Sequence, residues 1–124
     1  MSQNMLEKFG EILIQDVRDE AINDWEKILN GKMKGVTAKW VGDLLSGYST
    51  EQVEILKELI PEVVDTTLHH LLWTVEQVDA LKILLSDKDG NICDVKEVSD
   101  GLPGELYSDF GWISRFSKKR HSLL

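Results

Sequence analysis

Leu81-Lys82-Ile83-Leu84-Leu85-Ser86-Asp87-Lys88-Asp89-Gly90-Asn91-Ile92-Cys93-Asp94-Val95-Lys96-Glu97-Val98 is the stretch on which the fold class turns. Two apolar, partly β-branched runs flank Ser-Asp-Lys-Asp-Gly. Asp-Gly between such runs signals a hairpin, because it supplies the backbone freedom that a tight turn needs. The reading is a β-hairpin over about 80–98, while Leu81, Leu84 and Leu85 also suit a helix continuing from Gln77. Everything before this stretch has helical periodicity. The hairpin therefore makes the chain α+β: about four N-terminal helices followed by a small C-terminal antiparallel sheet.

Working back toward the N-terminus, apolar residues at Met5, Leu6, Phe9, Ile12, Leu13, Val17, Ala21, Ile22, Trp25, Ile28 and Leu29 recur at helical spacing. They predict a helix over about 4–30 that stops at Asn30-Gly31, where glycine accepts a left-handed end. Thr37 is the expected cap of a second helix, about 37–46. Ser49 with Gln52 has the spacing of a capping box opening a third. Pro61 lacks a backbone N–H and clashes with the preceding turn, so a break there is expected, giving helices at about 50–60 and 61–77. The last of these is expected to bury Val64, Thr67, Leu68, Leu71, Leu72 and Val75.

Beyond the hairpin, Asp100-Gly101-Leu102-Pro103-Gly104-Glu105 reads as a sharp connection into the aromatic-rich remainder of segment 100–117. There Trp112 and Phe116 share a face whether 111–117 is a strand, which would be the third of the sheet, or a helix. Residues 118–124 form a basic tail. With two prolines, no repeat and no low-complexity stretch, residues 1–124 are read as a single domain.

Composition removes several function classes. The 22 Asp and Glu against 14 Lys and Arg give a net charge of −8, which opposes nucleic acid, whose non-specific affinity comes from cations displacing counterions. No apolar run reaches the roughly 20 residues of a membrane span, and Met1-Ser2-Gln3-Asn4 has no signal-peptide character, so a cytoplasmic protein is expected. The single Cys93 excludes an internal disulfide, a zinc finger and a CxxC redox pair. Asp87-Lys88-Asp89-Gly90-Asn91 copies the start of a calcium loop. Ile92 and Val98 stand where that loop needs glycine and glutamate, so the segment reads as a turn. The glycine-rich connection matches no nucleotide loop, and adjacent His69 and His70 diverge by about 100° on a helix, a poor metal pair. No cofactor and no metal are expected, and an enzyme is the less favoured class.

Two surfaces remain as candidates. Between Glu7 and Glu26, seven acids (Glu7, Glu11, Asp16, Asp19, Glu20, Asp24 and Glu26) stand against only Lys8 and Arg18. Concentrated negative charge steers encounter with a basic protein. Asp16, Asp19, Glu20 and Asp24 are the expected contact acids, with Trp25 and Trp40 as aromatic anchors. In size and charge the chain is similar to small acidic bacterial inhibitor and immunity proteins, with which it shares no motif. The leading expectation is thus an acidic interaction domain of inhibitor or immunity type.

The second surface lies on the predicted helix 61–77, where Glu62, Asp65, Thr66, His69, Trp73 and Glu76 fall within about 60° of one direction. An indole on that polar face should be covered, by the C-terminal segment or by a partner. The alternative expectation is a small-molecule binding protein or minor enzyme with a pocket between helix 61–77 and the aromatic C-terminal segment, Asp65, His69, Trp73 and Glu76 on one wall and Glu105 and Trp112 opposite. A homodimer through the aromatic surfaces is the third.

Overall fold

A computed structural model describes residues 2–119, and its first feature is a helix uninterrupted from residue 2 to residue 29. It consists of α1 (Ser2–Ile12), a π-helical stretch (Leu13–Arg18) and α2 (Asp19–Leu29). Ile12, Arg18 and Asp19 at the junctions keep helical backbone angles, so only the hydrogen-bond register changes. α3 (Val36–Leu44) begins at Gly35, whose φ of +119° favours glycine. Thr37 lies inside the helix rather than at its cap.

α4 (Thr50–Gln77) is a single helix of 28 residues with Pro61 inside it, which corrects the expected division into 50–60 and 61–77. Its start is the expected capping box: Gln52 N–H donates to Ser49 Oγ at 3.1 Å, and Ser49 N–H donates to Gln52 Oε1 at 2.8 Å. A mid-helix proline costs about 3 kcal/mol locally. Here the ring is buried, in line with Lys57, Asp65, Leu68, Leu72 and Val75. Packing on both sides of the proline outweighs the lost bond. At the far end Lys96 Nζ donates to the carbonyls of Val75, Val78 and Leu81 at 3.1, 3.1 and 2.7 Å, satisfying acceptors that a helix C-terminus leaves open.

The hairpin forms, shorter than expected. β1 (Leu84–Ser86) pairs antiparallel with β2 (Ile92–Asp94), Leu85 opposite Cys93. The Asp87 carboxylate accepts from Asp89 N–H, Asn91 N–H and the Asn91 amide, each at 2.9 Å, and Gly90 takes φ +84°. These bonds hold its pKa below the ordinary carboxylate value, the Asn91 amide contributing most. The Asp94 carboxylate then caps Lys96 N–H and starts the turn α5 (Val95–Val98), so the second arm curls instead of pairing on. A 3-10 turn (Pro103–Leu106) leads to α6 (Trp112–Phe116). The third strand considered over 111–117 is therefore a helix. Adjacent Trp112 and Ile113 are both buried, an arrangement that a strand would split between opposite faces. Of the basic tail, Lys118 and Lys119 lie against α2, and Arg120 falls outside the described residues.

The core gathers at one end. Leu6, Phe9, Leu13 and Ile14 meet Leu68, Leu72 and Val75 of α4, closed over by Val95, Leu102, Leu106, Trp112 and Ile113. The Trp112 ring stands edge-on to Phe9, 5.7 Å between centroids, and lies against Gly10, where a Cβ would sit 2.4 Å from the indole. Among the described residues between 19 and 64, the buried apolar side chains are Ile22 and Val41 beside Pro61. The half of the molecule formed by α2, α3 and the first turns of α4 is thinly cored.

Candidate functional site

Trp73 tests the expected pocket first, and it is half exposed. The aromatic that was to cover it, Trp112, is fully buried on α1 instead, and its indole N–H meets no acceptor among the described residues. An orphaned buried donor of this kind costs about 1–3 kcal/mol. The two tryptophans are therefore not opposite walls of a cleft.

The remaining pocket residues are occupied with the fold. Asp65 is buried and grips Arg18, with Nε to Oδ1 at 2.6 Å and Nη2 to Oδ2 at 3.2 Å. Arg18 Nη1 also donates to Asp19 Oδ1 at 3.2 Å and Ser117 Oγ at 2.8 Å. Glu76 accepts from Leu102 N–H at 2.7 Å and so anchors the connection before the 3-10 turn. His69 Nδ1 lies 2.9 Å from Tyr107 Oη. Burial, with Asp65 and Glu62 nearby, raises the phenol's pKa. Glu105 is half-buried on another cleft. Desolvation pushes its pKa up, Asp100 and Glu7 add to this, and Arg115 opposes it. The structure brings His69 to Tyr107 with Asp65 near the phenol, whereas Glu105 lines another cleft and Trp112 is buried.

The acidic surface of the first helix is partly consumed as well. Asp19 is buried: besides Arg18 it accepts from Ser117 Oγ at 2.8 Å and from Lys118 N–H at 2.7 Å. Lys119 Nζ lies 3.3 Å from Glu26 and 3.4 Å from Asn23. Asp16, Glu20 and Asp24 remain exposed, Trp25 is half-buried, and Trp40 is 60% exposed. The chain's own tail therefore covers part of the face expected to meet a partner.

What stands open is an apolar face that the sequence reading passed over. On α4, Ile55, Leu59, Val63 and Trp73 are between 50% and 61% exposed. At 100° per residue they lie within about 80° of one another, together with Thr66 and His70, and opposite the buried face. The stripe runs about 27 Å along the helix. Glu51, Glu58 and Glu62 border one edge of it, and Glu62, Val63, Thr66 and Thr67 enclose a shallow groove of about 310 Å³ midway. α3 repeats the pattern: Val36 is 89% exposed, and Trp40 and Leu44 follow at intervals of four. Tyr48, in the turn joining the two helices, is also exposed.

Thr67 and Leu71 were expected to be buried and are exposed, because the buried face of α4 is centred on Pro61, Asp65, Leu68 and Leu72. The signal available in the sequence was the pair of i, i+4, i+8 apolar series, Val36/Trp40/Leu44 and Ile55/Leu59/Val63. On a long helix already carrying one apolar face, the second series marks a second face to be covered.

Other concavities are less telling. A cleft of about 480 Å³ lies between α1 and the hairpin, lined by Met5, Lys8, Ile12, Leu85 and Lys88 among others. Among the described residues, no group of three or more His, Cys, Asp and Glu side chains is placed to hold a metal ion, and no helix is long and apolar enough to cross a membrane. No family model matches the chain, and no curated protein or solved structure is significantly similar to it, so a functional reading rests on the geometry above.

Proposed function

We propose that this chain is a small protein-interaction domain, of inhibitor or immunity type, that takes a basic partner onto the outer face of α4, with the exposed stripe of α3 as a further contact surface. The observation that carries the reading is the exposed apolar stripe from Ile55 to Trp73 with acids along its edge. The four exposed side chains of the α4 stripe leave roughly 400 Å² accessible, the size of the largest apolar patch on a typical monomer, which is often functional, and Val36, Trp40, Leu44 and Tyr48 add exposed apolar surface around α3. Apolar area supplies affinity. The net charge of −8 supplies steering and selects a basic partner. In this reading the domain acts in the cytoplasm, consistent with its lone, buried Cys93.

The roles expected of the first helix shift accordingly. Trp40 stays in the docking surface, Asp16, Glu20 and Asp24 contribute to the long-range field, and Asp19 and Trp25 belong to the fold. The test is a comparison of the chain with its Leu59→Asp/Val63→Asp variant as bait in host extract. Both positions are exposed, so the variant should keep its circular dichroism and melting temperature. Basic proteins enriched by the parent chain should be lost from the variant. Equal capture by both baits would remove the reading.

A further inference from the structure

The outer face of α4 has the dimensions and chemistry of a seat for one more helix. Ile55, Leu59 and Val63 form a ridge with i, i+4, i+8 spacing that Thr66, His70 and Trp73 continue over about 27 Å, and apart from the bond lost at Pro61 the backbone beneath is closed by the hydrogen bonds of α4 itself. An extended segment would need a free sheet edge to add to, which a helix surface does not offer. A helix needs only side-chain ridges, and it packs with its axis 8–10 Å away. The groove enclosed by Glu62, Val63, Thr66 and Thr67 lies halfway along, where the central apolar side chain of such a helix would insert.

Charge decides between a foreign helix and a second copy. Glu51 and Glu58 stand on one edge of the stripe, and the one lysine of α4, Lys57, is on the buried side, 2.9 Å from Glu54. A two-fold antiparallel pairing of two α4 helices over the stripe would set Glu51 of one copy near Glu76 of the other and Glu58 near His69, with no lysine or arginine along the seam to meet the carboxylates. A helix carrying Lys or Arg along the matching edge meets the carboxylates instead.

Resting on the reading that this face is a docking surface, we infer that its occupant is a basic amphipathic helix of about five turns. Its apolar residues would recur at i, i+4, i+7 and i+11, with Lys or Arg flanking them on one side. Recognition is then helix on helix: apolar insertion gives affinity, and the acidic edge fixes orientation and sign.

The test uses three synthetic 18-residue peptides. The first has a leucine stripe flanked by lysines, the second has the same composition in shuffled order, and the third has glutamates in place of the lysines. Binding to the full chain is read by peptide anisotropy and by the change in tryptophan emission that the Trp73→Phe variant lacks, with sedimentation velocity run alongside. The striped basic peptide should bind at least about tenfold more tightly than either control and weaken as salt is added. Glu51→Lys/Glu58→Lys should shift preference toward the glutamate peptide. Equal binding of the shuffled peptide would reduce the effect to general charge attraction and overturn the inference. So would a concentration-dependent dimer that shields Trp73. If no peptide binds while a basic protein is still captured in a Leu59/Val63-dependent way, the helix inference fails and the docking surface survives. If that dependence is also absent, both fail.

Discussion

Asp65→Ala should cost this domain about 3 kcal/mol, because it leaves Arg18 with a buried guanidinium and no bidentate partner. The two side chains are 0% and 4% exposed, and their contacts are 2.6 and 3.2 Å. At an effective dielectric near 20, charges about 3 Å apart attract by roughly 5 kcal/mol, most of which offsets the desolvation of both ions. Intact, the pair therefore contributes little net stability. Broken, it exposes the full penalty, typically about 3–5 kcal/mol. The lower figure applies because Asp19 and Ser117 still accept from Arg18. For a chain of 124 residues each kcal/mol moves the melting temperature by about 4 °C, so a fall of about 12 °C is expected. Urea unfolding followed by far-UV circular dichroism gives the free energy. Arg18→Met should be similarly costly, and Arg18→Met/Asp65→Leu should cost clearly less than the sum, with a coupling of about 2 kcal/mol or more. A loss below about 1 kcal/mol for Asp65→Ala, or additive single effects, would refute the argument, because the pair would then be solvated.

Gly10→Ala places a Cβ 2.4 Å from the Trp112 ring. The overpacking, about 1–3 kcal/mol, should exceed the 0.5–1 kcal/mol that alanine gains over glycine in a helix, and Trp112→Leu in the same chain should relieve it. Lys96→Met removes a cation from the carbonyls of Val75, Val78 and Leu81, at and just beyond the end of α4, and should cost about 1 kcal/mol, with faster amide exchange at residues 76–81 as the local readout. Glu105 has a folded-state pKa raised above the ordinary 4.5, so its charge disfavours the fold above that raised value. Glu105→Gln should therefore stabilise the chain at neutral pH, and the advantage should vanish as pH falls toward 4.5. A constant difference across that range would contradict the assigned cause.

The features legible in the sequence are those set within a few residues. The Ser49/Gln52 box, the Asp87–Gly90 turn, the helical periodicity of the first two-thirds and the α+β class all follow from chemistry reaching no farther than one turn or one hairpin. Residues judged by their own element alone were misplaced. Pro61 breaks a helix by local rules, yet the face it shares with Leu68 and Leu72 is packed along its length. Trp112 and Phe116 fit a strand or a helix equally until Ile113 must also be buried. Asp19 reads as a surface acid until Ser117 and Lys118, nearly a hundred residues away, donate to it.

The candidate site divides in the same way. Sequence periodicity alone determined that α3 and α4 carry apolar residues at repeated intervals of four, because side-chain direction follows from helical geometry. Only the tertiary structure decided which series would be buried and which left open, because burial depends on what stands across from a face. Trp112 settles on Gly10, the buried face of α4 meets the first helix and the C-terminal third, and Ile55, Leu59, Val63 and Trp73 are left half exposed or more.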